Sequence, residues 1–146
     1  MRRFVGVLIV LLSIVGPLSS ASAQQVGSTG KQDSGFFLEP NYPNPFNPET
    51  KIPFVLYEDL FASGRPVVVS IRIFNVLQQY ITSPTAMSHP RGDGVPMLEL
   101  EYPHPGRFEA YWDGRDERGR HVASGVYFVQ LTVNGRSQFQ RMYVTK

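Results

Sequence analysis

The clearest alternation of apolar and polar positions runs from Val126 to Val133, where Tyr127, Val129, Leu131 and Val133 fall on one side of an extended strand. Asn134-Gly135 follows at once, a dipeptide suited to the two positive φ angles of a two-residue hairpin turn. The run Phe139 to Val144 should therefore return beside the first strand, with Met142 and Val144 facing the same core. Just upstream, Trp112, the only tryptophan, opens a polar stretch that carries three glycines and leads into this hairpin.

The same period of two recurs along the chain. It predicts strands at Thr50 to Tyr57 with Ile52, Phe54 and Leu56 inward, and at Val67 to Phe74 with Val67, Val69, Ile71 and Ile73 inward and Ser70 and Arg72 outward. Further strands are expected at Gln79 to Thr82, after a turn at Asn75 to Gln78, and at Met97 to Tyr102 with Leu98, Leu100 and Tyr102 inward. Arg107 to Trp112 places Phe108, Ala110 and Trp112 on the core side. Pro53 lies on the polar face of its strand, and a proline inside a strand points to a sheet edge. Pro40 to Pro48 holds four prolines in nine positions, which excludes a helix and a central strand. It reads as a stiff extended run at an edge, anchored by Tyr42 and Phe46; a proline-rich ligand for an aromatic groove is the alternative. Ser83 to Pro96 reads as a long surface loop. No stretch sustains a helical period. Seven or so short strands separated by turn signals predict an all-β fold, an immunoglobulin-like antiparallel β-sandwich, with a small closed barrel as the alternative.

Composition changes this picture at one end. The 146 residues carry a formal charge of +2, but Arg2 and Arg3 precede an apolar run from Phe4 to Val15 that ends in small residues at Ala21-Ser22-Ala23. That is the pattern of a cleaved secretory signal peptide over residues 1–23. Its removal leaves 12 of the 14 basic side chains against 12 acidic ones. A nearly neutral mature protein has no electrostatic case for nucleic acid or an anionic membrane surface, and no later segment could cross a bilayer as a helix. Residues 24–35 are small and polar, as in a flexible linker, and residues 36–146 form the expected domain. Cysteine is absent, so disulfides and thiolate chemistry are excluded and the core alone must hold the domain together.

Candidate chemistry is sparse. His89, His104 and His121 share no ligand spacing with one another and read as exposed loop residues. Asp113, Asp116 and Glu117 form the one acidic cluster; with Arg115, Arg118 and Arg120 interleaved they read as Asx-stabilised turns before they read as a calcium site. Arg91-Gly92-Asp93 reads as a turn in a loop. No nucleophile elbow, phosphate loop or pair of catalytic acids is present. The expectation is a protein with no catalytic residues, no metal and no cofactor.

Three segments together carry a family resemblance: Y-P-N-P-F-N-P-E-T-K-I at 42–52, W-D-G-R-D-E-R-G-R-H-V-A-S-G-V-Y-F at 112–128, and R-M-Y-V-T-K at the end. From about Leu38 to Lys146 the chain resembles the type A C-terminal sorting domain of type IX secretion, and the related immunoglobulin-like domain of the flagellar hook-capping protein. The connection from Ser83 to Gly106 is longer than the compact loop usual in that family. The resemblance implies a small β-sandwich that a bacterial outer-membrane secretion machine reads on the way through the periplasm to the cell surface. It implies structural roles for Asn44, Pro45, Phe46, Asn47, Pro48, Trp112, Asp113, Gly114, Gly125 and Tyr127. It ties recognition by a protein partner to the last strand, where Arg141, Tyr143 and Lys146 should stay outside. The second reading is a structural subunit of a surface assembly, pairing with partners or with its own copies through edge strands.

The signal-peptide reading gives the first prediction. The native protein should have the intact mass of a chain beginning at Gln24, and recovery of full-length protein retaining Met1 would reject it.

Overall fold

A computed structural model describes residues 34–146. The expected signal peptide, and the linker as far as residue 33, lie outside the described residues. Nine strands are present among the described residues: β1 Phe36–Leu38, β2 Thr50–Leu56, β3 Val67–Asn75, β4 Tyr80–Thr82, β5 Thr85–Ala86, β6 Leu100–Tyr102, β7 Gly106–Trp112, β8 Gly125–Val133 and β9 Arg136–Val144. They form two antiparallel sheets, one in the order β1-β2-β7-β5 and the other β4-β3-β8-β9, with β6 paired to the start of β3. This is the antiparallel β-sandwich that the alternation predicts. A single turn of 3-10 helix at Glu58–Phe61 links β2 towards β3.

The β8–β9 hairpin forms as expected, with Asn134 and Gly135 at φ of 48° and 83°. Its tip is pinned to the neighbouring strand: the Asn134 amide donates to the Val68 carbonyl, and the Asn134 Oδ1 accepts from the Val68 amide, both at 3.0 Å. β3 then runs beside β8 from Val69↔Val133 to Asn75↔Tyr127. Inward residues of both sheets meet in one core that includes Ile52, Phe54, Leu56, Val69, Ile71, Ile73, Val129, Leu131, Met142 and Trp112, all fully or almost fully buried.

Four local readings are corrected. β2 is central, between β1 and β7, and not an edge strand. Pro53 is tolerated there because it faces Glu109 as a non-hydrogen-bonded pair, while its carbonyl turns the other way and accepts from the Glu39 amide at 3.0 Å. Its missing donor thus points to the place where β1 has already ended. Next, Leu98 is 43 % exposed and Met97 is buried, because Glu99 at a φ of 50° breaks the alternation and only Leu100–Tyr102 is strand. Ser70, on the outward phase, is nonetheless covered, its Oγ accepting from the Glu99 amide at 2.8 Å. Finally, Ser83 to Pro96 is not all loop. β5 within it crosses to the other sheet and pairs with β7, and Pro84, Ala86 and His89 are buried.

The outer face of the β1-β2-β7-β5 sheet is held by a closed network of charges. Arg107 bonds Glu39 and Glu109 at 2.8 and 3.0 Å, Lys51 approaches Glu109, and the Tyr42 hydroxyl donates to the Glu109 carboxylate. Tyr42 is therefore an exposed partner of Glu109 and not the core anchor its position suggests. The hydrogen bond from Tyr42, with Arg107 and Lys51 adding to it, holds the Glu109 carboxyl below its ordinary value.

Two predictions follow from this packing. Trp112→Ala should cost about 3 to 5 kcal/mol in denaturant melts, whereas Glu117→Ala, at an exposed turn, should cost about 0.5 kcal/mol or less; equal losses would show that the strand phase is wrong. The second concerns acid. A carboxyl whose folded value is depressed stabilises the fold above its unfolded value and loses that contribution as pH falls through the folded one. The melting temperature should therefore drop on acidification below about pH 4, and Tyr42→Phe should make that drop shallower.

Candidate functional site at the C-terminal strand

Each proline removes a backbone donor, so the run from Pro40 to Pro48 cannot form a continuous ladder. Phe46 keeps its N–H, and this one residue makes the connection. Its amide donates to the Tyr143 carbonyl at 2.9 Å, and its carbonyl accepts from the Thr145 amide at 3.0 Å, a one-residue parallel bridge beside Val144. Asn44 Oδ1 accepts from the Tyr143 amide at 3.0 Å. The peptide bonds before Pro43, Pro45 and Pro48 are cis. The end of β9 is thus held between β8 on one side and the proline-rich segment on the other.

The Phe46 ring is buried and meets Trp112 edge-on at 5.3 Å between centroids, and Trp112 meets Tyr127 at 5.7 Å. The turn after Trp112 folds beneath it. Asp113 Oδ1 accepts from the Arg115 amide at 3.1 Å, and the indole Nε1 donates to the Arg115 carbonyl at 2.9 Å. Gly114 has a φ of 72°, and a Cβ there would sit 2.4 Å from the Pro48 carbonyl oxygen, so only glycine fits. The Val122 amide closes the turn on the Gly114 carbonyl at 2.9 Å, and the Tyr127 hydroxyl donates to the Ala123 carbonyl at 2.8 Å. Burial raises the Tyr127 phenol above its ordinary value. Three segments far apart in sequence, 44–48, 112–127 and 141–146, therefore form one assembly at one end of the sandwich.

Of the residues expected to be structural, Phe46, Trp112, Gly114 and Tyr127 are buried in that assembly. Asn44, Pro45, Asn47, Pro48, Asp113 and Gly125 lie on its surface, and Gly125 begins β8. Arg141, Tyr143 and Lys146 are exposed, and neither cation forms an ion pair among the described residues. They do not make one patch. Arg141 and Tyr143 lie on the outer phase of β9, opposite Phe128 and Val126 of β8. Lys146 borders a separate groove of about 420 Å³ lined by Asn47, Pro48, Gly114 and His121. The backbone edge of β9 at Tyr143 is occupied by Asn44 and Phe46.

Local reading missed an aromatic surface. Phe74 and Phe128 fall on the solvent phase of their strands and, with Phe139 at 60 % exposure, line an open groove of about 590 Å³. Apolar rings on the polar phase of three neighbouring strands were the available signal.

The remaining candidates are structural. Asp116 Oδ1 accepts from the Arg118 and Arg120 amides at 2.9 and 3.0 Å, an Asx-type turn. The bond from the Arg120 backbone, helped by the Arg120 side chain, holds that carboxyl below its ordinary value. Among the described residues no three acidic or histidine side chains gather where a metal ion could be held. His89 is buried, not exposed as expected. Its Nδ1 accepts from the Arg91 amide, which leaves the proton on Nε2 to donate to the Glu101 carbonyl at 2.9 Å. That explains the turn at Arg91-Gly92-Asp93 as a cover for β6. Among the described residues no helix is long and apolar enough to cross a membrane.

No family model matches the chain, and no curated protein matches it. Among solved structures, dimeric latent PorU from Porphyromonas gingivalis is similar over 75 % of this chain and 9 % of its own, with a TM-score of 0.50 and 18 % identity. PorZ, described as an essential bacterial surface component of the type IX secretion system of the same organism, covers 82 % of this chain at a TM-score of 0.43 and 19 % identity, over 13 % of its own length. The alkylpurine DNA glycosylase AlkC of Pseudomonas fluorescens covers 77 % at a TM-score of 0.48 and 15 % identity, over 31 % of its length. The chain thus spans less than a third of the length of each. At this identity the likeness to PorU is one of fold: this β-sandwich is an architecture that a much larger protein also carries.

Proposed function

We propose that this protein is a non-enzymatic sorting and attachment module for type IX export, carried through the periplasm to the bacterial cell surface and read there by a protein of the outer-membrane secretion machinery. The observation that carries this reading is the convergence of the three sorting-domain-like segments on the C-terminal strand. Asn44 and Phe46 fix Tyr143 and Thr145, and Trp112 and Gly114 seat Phe46 and Pro48. Such an arrangement presents Arg141, Tyr143 and Lys146 from a rigid base, as a recognition element requires. The likeness of fold to PorU of Porphyromonas gingivalis supports the same reading. The structural-subunit reading uses the same sandwich, with assembly in place of delivery as its outcome.

The test separates recognition from folding. Arg141→Glu combined with Lys146→Glu should abolish surface delivery in fractionated cells and leave the melting temperature nearly unchanged, since both side chains are exposed and unpaired. Val144→Asp and Gly114→Ala are the folding controls. The first puts a carboxylate in the core and the second drives a methyl into the Pro48 carbonyl, and each should cost about 2 kcal/mol or more. Normal delivery of a well-folded Arg141/Lys146 double variant would sink the sorting reading, and failure of assembly instead would favour the structural subunit.

A further inference from the structure

A sheet edge with unpaired N–H and C=O groups invites another strand, and folded proteins cover such edges. Here the covering is nearly complete. Along β1, the Leu38 amide donates to Gln138 Oε1, and the Phe36 and Leu38 carbonyls accept from the side-chain amides of Gln138 and Gln140. Ala86 of β5 is bonded on both sides, to the Val95 carbonyl and the Gly94 amide. In β4 the Ile81 carbonyl accepts from the Glu117 amide, and in β6 His89 takes the Glu101 carbonyl. Asn44 and Phe46 take the upper end of β9, and Pro45 and Pro48 keep that short bridge from recruiting a further strand.

The longest uncovered stretch of edge among the described residues is the middle of β9. Its even-numbered residues bond β8, as the closure of the hairpin at Val133↔Arg136 dictates, so Ser137, Phe139 and Arg141 direct their backbone groups away from the sheet. Among the described residues these groups have no backbone or side-chain partner. Their side chains lie on the outer face, where Phe139 borders the groove shared with Phe74 and Phe128. Charge on this face is one-sided. On this face β3 and β9 carry Arg72 and Arg141, while β3, β4, β8 and β9 contain neither aspartate nor glutamate, and neither arginine is in an ion pair among the described residues; Arg136, on the inward phase of β9, lies over the Phe36 ring at 5.8 Å. Glu101 of β6 faces Val68 at the far side of β3. The opposite sheet, by contrast, neutralises Arg107 and Lys51 within itself.

We infer that the segment Ser137 to Arg141 is a docking edge for an extended peptide of a partner protein, one that carries a carboxylate and a bulky apolar side chain two residues apart, on the same face of the added strand. The peptide adds as a strand, taking the outward backbone groups of Ser137, Phe139 and Arg141. It sets a carboxylate against Arg141 and extends the apolar face at Phe139. A second copy of this chain fits less well, since two-fold pairing centred on Phe139 would bring a further arginine, the copy's Arg141, to the face and no acid. The inference deepens the proposed function by stating what kind of partner reads β9, and to that extent rests on it.

The test uses the mature chain and a displayed library of short random peptides. The recovered sequences should place an acidic residue and a bulky apolar residue two positions apart. On binding, the amides of Phe139 and Arg141 should become protected from hydrogen exchange. Phe139→Pro removes one outward N–H and leaves every β8 bond intact, so it should weaken binding by about tenfold or more with little change in melting. Arg141→Glu should do the same. Recovery of no binder, binders indifferent to both variants, or protection of those two amides by self-association without peptide would each overturn the inference. Peptide binding that persists while the Arg141/Lys146 variant is still delivered would keep this site and remove the sorting reading.

Discussion

The packing of Phe46 on Trp112 is the contact on which the rest of this end of the molecule depends. The aromatic pair alone is worth about 0.5 to 1.5 kcal/mol beyond simple burial, but its consequence is positional. With the ring seated, the one useful amide and carbonyl in a donor-poor segment are delivered to Tyr143 and Thr145. The Gly114 turn must then pass within contact distance of Pro48, which no other residue would allow. Prolines supply stiffness, the tryptophan supplies a floor, and the last strand is held by both.

The strands with unbroken alternation were legible in the sequence. β3, β7, β8 and β9 appear where the period of two places them, because an amphipathic strand has one stable way to face a core. What was not legible depends on neighbours the sequence does not display. Pro53 signals an edge only if a partner needs its donor, and β1 ends one residue too soon to need it. Leu98 fits the pattern but follows Pro96 and precedes a residue with positive φ, so the backbone turns over before the strand begins. His89 looks like a loop histidine until the loop is seen to fold back on β6.

The candidate site was only half readable for a similar reason. Its parts are visible as motifs, yet the hydrogen bond from Tyr143 to Asn44 joins residues 99 positions apart. Nothing local states that the proline-rich run would close the edge of the last strand and leave Lys146 in a groove separate from Arg141. The buried members, Phe46 and Trp112, follow from hydrophobicity; the exposed ones acquire meaning only from the frame that holds them.

The two outer faces show how a fold built for stability can still carry a directed surface. On one, Glu109 gathers Tyr42, Arg107 and Lys51, so its charges are spent internally. On the other, phenylalanines occupy solvent-phase positions, and Arg72 and Arg141 form no ion pair among the described residues. Gln138 and Gln140 make the point most directly. They reach under β9 to satisfy β1, while the residues between and beside them, Phe139 and Arg141, turn outward and satisfy nothing. Within one strand, alternate residues thus close the sandwich and leave its edge open. Because the side-chain period is two, these tasks occupy different faces, and a change at Phe139 or Arg141 can alter what the strand meets without disturbing what it holds together.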